Sequence, residues 1–275
     1  VLGGLKGWEA LEGGAALSAG RRAARLAVAK LAAPVARPGD FPVVLAASAG
    51  GTFVHEAIGH TVEADFVLSG SAAAGKIGER VASELVTLCD SGASEHEAGA
   101  GGVVLVDDEG VAARKVEIIK DGVLLSYLHN RETAARFGVE PTGNARAFEF
   151  DNEPLIRMRN TYIEPGETPL SRMVAETSDG LLLVGAKNGQ ADANGEFMFV
   201  VGEVYPIKHG MLGPLHRGTT ITGNAFDVLK SVDQVGDQFA WELGSGYCGK
   251  GQPAKVDAGG PHLRCTVTLA GKEQP

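Results

Sequence analysis

The sequence predicts an α+β fold in which mostly antiparallel β-sheets carry a few flanking helices. β-rich runs follow one another instead of alternating regularly with helical segments, which favours antiparallel sheets over a parallel α/β fold. Glycine accounts for 39 of 275 residues and aromatic residues for only 6%, a composition typical of a chain with many turns and strands. Because no internal repeat or linker interrupts the chain, we expect residues 1–275 to form a single domain.

Composition argues against several functional classes. The net charge is −9 and no basic stripe offsets it, so we expect no direct binding of nucleic acid. No window of 18 apolar residues predicts a membrane span. Three scattered cysteines do not form a disulfide framework, which indicates a reducing compartment, and we expect the protein to be cytoplasmic.

The first part of the chain predicts a helix, a strand and a second helix in that order. Residues 20–33 place Ala, Leu and Val at helical spacing with Arg and Lys on the other face, which predicts an amphipathic surface helix ending before Pro34. Residues 41–46 predict a strand. The small residues 48–51 predict a turn, after which a helix begins near Thr52.

The remaining elements are dominated by strands. Residues 116–128 predict a β-hairpin, because Asp121-Gly122 tolerates the positive φ angles of a tight turn. Asp107-Asp108-Glu109-Gly110 lacks the EF-hand spacing and predicts a turn. Further strands are predicted at 84–89, 101–110, 157–163, 180–184, 196–207 and 263–269, and helices at 169–177 and 224–235.

The segment His55-Glu56-Ala57-Ile58-Gly59-His60 is the strongest candidate for a site. Two imidazoles with a carboxylate beside the first are the groups that a catalytic zinc ion requires. Histidines five residues apart lie about 140° apart around a regular α-helix, so both cannot face one ion. A π-bulge would realign them, and Gly59 eases that distortion. Chance proximity of two histidines is the alternative at this point.

A thiolate is a suitable third ligand, leaving a fourth position for water. Cys248 is the candidate, because its flanking glycines allow close backbone approach and Lys250 could help to hold the thiolate form. Cys89 and Cys265 lie in apolar strand patterns and are predicted to be buried in the core.

Several motifs occur in an order that identifies a family. The run HEAIGHTVEAD is followed by GKIGERVAS, DDEGV, GVLLSYLHNRETAARFGVEPTGNAR, RMRNTYIEPG, GTTITGN and CGKGQ. Together they resemble the carboxyl-terminal domain of the TldD/PmbA metallopeptidases over most of residues 40–270. Because both HExxxH and the later cysteine are present, the chain is similar to the metal-binding TldD type, whose PmbA-like partners lack the histidines.

The resemblance implies zinc bound by His55, His60 and Cys248, with Glu56 as general base. Zinc-activated water and a carboxylate base fit the hydrolysis of peptide bonds in short or unfolded peptides. Glu63 and Asp65 could orient a ligand histidine or could simply be solvated.

Two polar stretches match family motifs and are candidates for binding the substrate. They would form hydrogen bonds with an extended peptide or stabilise an oxyanion, the alternative being a turn and an edge strand with solvated arginines. The residues concerned are Asn144, Arg146, Arg157 and Asn160.

The resemblance also implies a dimer, either a homodimer or a heterodimer with a metal-free PmbA-like paralogue. Three departures bear on activity. CGKGQ is one residue shorter than the family pattern, and residues 186–195 are poorer in glycine and serine. We also expect residues 1–38 to be a remnant or linker helix of the amino-terminal domain that the family has. A non-catalytic binding or regulatory subunit and a zinc amidohydrolase acting on a small molecule are therefore the alternative functions.

Overall fold

The computed structural model describes residues 5, 7–242 and 246–270. Residues 1–4 and 6 of the predicted linker segment 1–38 therefore lie outside the described residues. The helices are α1 (Ala15–Ala32), α2 (Ala47–Val54), α3 (Ala64–Leu68), α4 (Arg131–Phe137), α5 (Leu170–Ala175) and α6 (Ala225–Lys230), with 3₁₀ turns at Trp8–Leu11 and His60–Val62 and a π-helical turn at His55–Gly59. None of the described helices is both long enough and apolar enough to cross a membrane.

Strands supply most of the regular structure, which confirms the predicted α+β class. They are β1 (Gly39–Leu45), β2 (Leu88–Ser91), β3 (Val116–Lys120), β4 (Val123–Leu124), β5 (Ala145–Arg146), β6 (Leu155–Ile156), β7 (Asn160–Ile163), β8 (Asp179–Ala191), β9 (Glu196–Lys208), β10 (Met211–Leu212), β11 (His216–Arg217), β12 (Thr220–Asn224), β13 (Gln234–Val235), β14 (Ala240–Trp241), β15 (Tyr247–Lys250), β16 (Gln252–Lys255), β17 (Asp257–Gly260) and β18 (Leu263–Ala270).

The larger sheet closes on itself. Its strands pair in the order β1-β8-β9-β12-β18, and β18 pairs again with β1. The pairings are antiparallel except that of β1 with β8. Alternate residues of β18, from Leu263 to Leu269, are buried, as expected for strands with one face toward a core.

A second sheet pairs its strands in the order β14-β17-β7-β2-β3-β4. Helix α2 contacts β8 of the first sheet and β17 and β7 of the second. Six of its eight residues are buried. The predicted site therefore begins at the end of a helix held between two sheets.

Helix α2 starts at Ala47, so the prediction of a turn at residues 48–51 was wrong. Glycine pairs usually mark turns, but here they allow close packing. A Cβ atom at Gly51 would lie 2.9 Å from the carbonyl carbon of Ala258, and one at Gly50 would lie 3.3 Å from the carbonyl oxygen of Pro261. The tertiary contact explains why glycine occurs inside the helix.

Residues 101–110 do not form the predicted strand. The backbone N–H groups of Glu109 and Val111 donate to Oδ1 of Asp107 at 3.0 and 2.8 Å, which makes the predicted turn and leaves only an isolated bridge between Val106 and Ala112. Side-chain oxygens of aspartate compete in this way with strand pairing.

Other elements agree with the prediction apart from their ends. The 116–128 hairpin forms, with positive φ angles at Asp121 and Gly122. The strand predicted at 84–89 is displaced to Leu88–Ser91, and the helix predicted at 224–235 ends at Lys230, after which β13 pairs with β18. Helix α1 lies on the surface with no buried residue.

Gly51→Ala should destabilise the protein by about 1–3 kcal/mol, because the added methyl group meets backbone atoms of β17 that cannot move independently. Gly20→Ala is the matched control, since Gly20 also lies in a helix but has no atom within 4 Å of its Cβ position. It should be neutral or stabilising by up to about 1 kcal/mol. Urea unfolding followed by circular dichroism measures both, and equal stability of the two variants would contradict the proposed packing.

Candidate metal centre

The two histidines of the HExxxH segment converge because the helix changes its pitch. Residues His55–Gly59 form the predicted π-helical turn, and the two imidazole rings lie 5.4 Å apart between centroids. A Cβ atom at Gly59 would lie 1.8 Å from the sulfur of Met158. Glycine is thus required here for packing as well as for the distortion.

The cysteine is far from the two histidines in sequence. Cys248 lies on β15, and its Sγ is 3.3 Å from Nε2 of His60. One ligand atom from each of His55, His60 and Cys248 falls within 4.8 Å of the others. The structure therefore brings together the three predicted ligands.

Electrostatics favour the thiolate. Burial alone raises the pKa of Cys248, but hydrogen bonds and charge from His55 and His60 lower it to about 5. Burial lowers the pKa of His60, yet hydrogen bonds to Cys248 and Glu63 raise it to about 10. These shifts favour a thiolate on Cys248 and a proton on His60, and a bound metal cation would take the place of that proton.

Lys250 does not hold the thiolate as predicted. Its Nζ lies 3.0 Å from Oε2 of Glu63 and 2.6 Å from Oδ2 of Asp65, and 4.3 Å from the ring centroid of Phe66. It also donates to the carbonyl oxygen of Ile156 at 3.0 Å. The cation therefore ties the cysteine hairpin to the segment that follows the histidines.

Glu63 is completely buried and lies beside His60, one of the candidate ligands. Its Oε2 is 3.4 Å from Nδ1 of His60. Burial raises the pKa of Glu63, but His60, and after it Lys250, hold that pKa below its ordinary value. A carboxylate on Nδ1 fixes the ring and leaves Nε2 toward Cys248, which is the arrangement expected behind a ligand histidine. Asp65 contacts Lys250 instead and is partly exposed.

The residues present fit a metal ion. Nδ1 of His55 is buried and has no hydrogen-bond partner among the described residues, although buried polar atoms are normally paired. Two imidazole nitrogens and a thiolate are a donor set that suits zinc, with a further position left for water or substrate.

Glu56 lies at the mouth of the centre. It lines a cavity of about 400 Å³ together with His60, Cys248 and residues 189–193. A Cβ atom at Gly189 would lie 2.3 Å from Cγ of Glu56, so the glycine of β8 makes room for this carboxylate. The cavity gives a substrate access to both the candidate base and the candidate ligands.

Three of the four predicted substrate contacts lie inside the protein, which corrects that expectation. Asn144 donates from Nδ2 to Oδ2 of Asp90 and to the carbonyl oxygen of Arg157, both at 2.9 Å. Asn160 donates from Nδ2 to the carbonyl oxygen of Ala93 at 2.8 Å. Asn144, Arg157 and Asn160 are each at most 1% exposed.

Arg146, the fourth predicted contact, is partly buried. It donates from Nη1 to the carbonyl oxygen of Met158 at 2.8 Å. Neither of the two cavities next to the metal ligands has any of these four residues in its wall.

Glu242 is a residue near the site that sequence analysis missed. It lines a second cavity with His55 and Glu56, and its Oε2 accepts a hydrogen bond from the hydroxyl of Thr52 at 2.6 Å. Burial, with the charge of Asp257 adding to it, raises the pKa of Glu242 to about 7 although Thr52 opposes the shift. No local motif marks this glutamate, because only the fold brings β14 beside the helix.

The distorted helix, the distant cysteine and the adjoining cavity together form a candidate mononuclear metal centre with two histidines and one cysteine. Residues 38–271 match the family model described as "PmbA/TldA metallopeptidase C-terminal domain". The chain belongs to the PmbA/TldA family of metallopeptidases.

Individual relatives agree with this assignment. The chain is 39% identical to a protein named "Metalloprotease" of Methanothermobacter thermautotrophicus, over 98% of this chain and 58% of the relative. It is 37% identical to the "Zinc metalloprotease TldD homolog" of Saccharolobus solfataricus, over 83% of this chain and 51% of the relative. The solved structure of TldE from Thermococcus kodakarensis has the same fold, with a TM-score of 0.72 at 21% sequence identity. The match covers 91% of this chain and 55% of TldE. The chain thus spans little more than half the length of these relatives.

In metal-free protein, Cys248 should react with iodoacetamide at pH 7, at a rate that changes little between pH 6 and pH 8, because its thiolate is already formed. Cys89 and Cys265 are internal controls, since burial raises the pKa of each to about 12, and they should react only after unfolding. Mass spectrometry of peptides measures the three rates. A Cys248 rate that rises about tenfold per pH unit would indicate an ordinary thiol pKa and contradict the predicted thiolate.

Proposed function

We propose that the protein is a zinc-dependent metallopeptidase that hydrolyses peptide bonds in short or unfolded peptides. The observation that carries the proposal is the group of His55, His60 and Cys248, of which His55 and Cys248 are buried and His60 is partly exposed, beside Glu56 at the wall of a cavity. A histidine pair and a thiolate would hold the zinc ion, and Glu63 would fix the orientation of His60.

Zinc in this position supplies a Lewis acid that polarises a carbonyl group and acidifies water. Glu56 accepts the proton of the attacking water on its carboxylate and then donates it to the leaving amine nitrogen. The lack of a side chain at Gly189 leaves room for the carboxylate at the cavity wall.

The edge of strand β8 supports a peptide as the substrate. Strand β1 pairs with β8 only as far as Leu183, and among the described residues no other strand pairs with this edge beyond it. Residues 189–193 of the same segment line the cavity beside Glu56. An extended peptide could therefore add to the edge by backbone hydrogen bonds, which do not depend on sequence.

We also infer a dimeric assembly, with a second copy of the chain or with a metal-free PmbA-like paralogue. The family assignment and the fold shared with TldE support a partner of the same architecture. The activity of the whole protein would then depend on both subunits.

Glu56→Gln should lower kcat on an unfolded peptide by about 10²–10⁴-fold while zinc content stays near one per chain, because the base is lost and the ligands remain. Glu84→Gln, at an exposed position, is the matched control and should retain full activity. Cys248→Ala should lose both zinc and activity, as measured by elemental analysis of protein purified without chelators. A wild-type protein that binds zinc but hydrolyses no peptide would support a binding or regulatory subunit instead, and one without zinc would refute the catalytic proposal.

Peptides methylated on alternate backbone nitrogens should separate strand addition from side-chain recognition. Methylation of amides that face β8 should raise KM or abolish hydrolysis, whereas methylation at the intervening residues should have little effect. The comparison is made by steady-state kinetics on two versions of one peptide that differ only in which alternate amides are methylated. Equal kinetics for both would contradict binding at the β8 edge.

A further inference from the structure

Arg157 is a buried cation whose guanidinium contacts the hairpin that carries Cys248. Its Nη2 donates to the carbonyl oxygen of Cys248 at 2.5 Å and its Nη1 to that of Gln252 at 2.6 Å. Cys248 lies on β15 and Gln252 on β16, so one planar side chain joins the two strands on either side of their turn. Such a fork with fixed donors is a property of arginine that lysine lacks.

The backbone of Arg157 is itself held in place. Its N–H donates to the carbonyl oxygen of Asn144 at 2.8 Å, and its carbonyl oxygen accepts from Nδ2 of Asn144 at 2.9 Å. The same Nδ2 donates to Asp90, which forms a fully buried ion pair with Arg159 at 2.8 Å. The guanidinium thus projects from a rigid support toward the cysteine.

The location of this positive charge requires an explanation. Arg157 is 1% exposed, and no carboxylate among the described residues lies within ion-pairing distance of it. A buried cation that is paired only with carbonyl groups is costly, and it persists where a negative group lies nearby. The guanidinium is instead held by the two carbonyl oxygens of the hairpin, one of which belongs to Cys248 itself.

We propose that Arg157 is a positioning residue that sets the metal affinity of the centre by fixing Cys248 opposite the two histidines. The proposal rests on the metal site of the proposed function. It adds a residue that neither contacts the cavity nor donates a ligand atom. Lys250 joins the hairpin to Glu63 and to the carbonyl oxygen of Ile156, whereas Arg157 joins it to Asn144, which in turn donates to Asp90.

The test is the zinc affinity of Arg157→Gln and Arg157→Lys in the full chain, measured by competition with a chromogenic chelator. Loss of a group that orients a ligand costs about 10–100-fold in metal affinity, and we expect this loss for Arg157→Gln. Arg157→Lys retains the charge but can donate a well-aligned hydrogen bond to only one of the two carbonyl oxygens, so its zinc affinity should be intermediate. With cobalt in place of zinc, the thiolate-to-metal absorption band should weaken in the same order.

Arg159→Lys is the matched control, because Arg159 is as deeply buried but has no hydrogen bond to the hairpin. It should lose stability in urea while its zinc affinity stays within about twofold of the wild type. A wild type without zinc would refute the proposed function, whereas a wild type that binds zinc beside Arg157 variants of equal affinity would refute only this inference. If both Arg157 variants fail to fold while Arg159→Lys folds, Arg157 serves the stability of the whole fold. That outcome would also overturn the inference that Arg157 sets metal affinity.

Discussion

The structure depends on bringing a thiolate and two imidazoles to one point from segments that are far apart in sequence. The sulfur of Cys248 and the ring of His60 are separated by 188 residues and lie 3.3 Å apart. Two local features of the backbone allow these groups to converge. The π-helical turn rotates His55 toward His60, and the glycines of α2 let the helix approach β17 closely enough to lie between the two sheets. Each of these two features has a cost in local conformational energy, which the surrounding packing must offset.

The hairpin of β15 and β16 is small, and a two-stranded hairpin is marginally stable by itself. It is held here by two cations. Lys250 reaches from the hairpin to Glu63 and Asp65, and Arg157 reaches to the hairpin from the segment before β7. Polar contacts of this kind fix a geometry more specifically than apolar packing does, because a hydrogen bond fails when its donor moves by about an ångström.

Much of the site could be predicted from the sequence, because its main features are local. The five-residue spacing of the histidines is incompatible with a regular helix, so the π-helical turn followed from geometry. The partners of Lys250 could not be predicted, because Glu63 and Asp65 lie almost 190 residues away. Asn144 and Arg157 are predicted as substrate contacts because they lie in polar stretches that match family motifs, and only the fold shows that they are buried. The helix start at Ala47 was missed for a related reason, since Gly50 and Gly51 mark a turn unless another strand packs against them.

The balance of charge around the centre explains why basic residues occur so close to a metal site. A divalent cation would be compensated by the thiolate of Cys248 and the carboxylate of Glu56, while Glu63 and Asp65 offset Lys250. Arg157 has a different role, since its guanidinium donates to the carbonyl oxygens of Cys248 and Gln252 and not to a carboxylate. Because these groups are largely buried, the field between them is only weakly screened by solvent and salt. Removing Lys250 or Glu63 therefore leaves a buried charge without its partner, and this makes His60, Glu63 and Lys250 a single electrostatic unit beside Cys248.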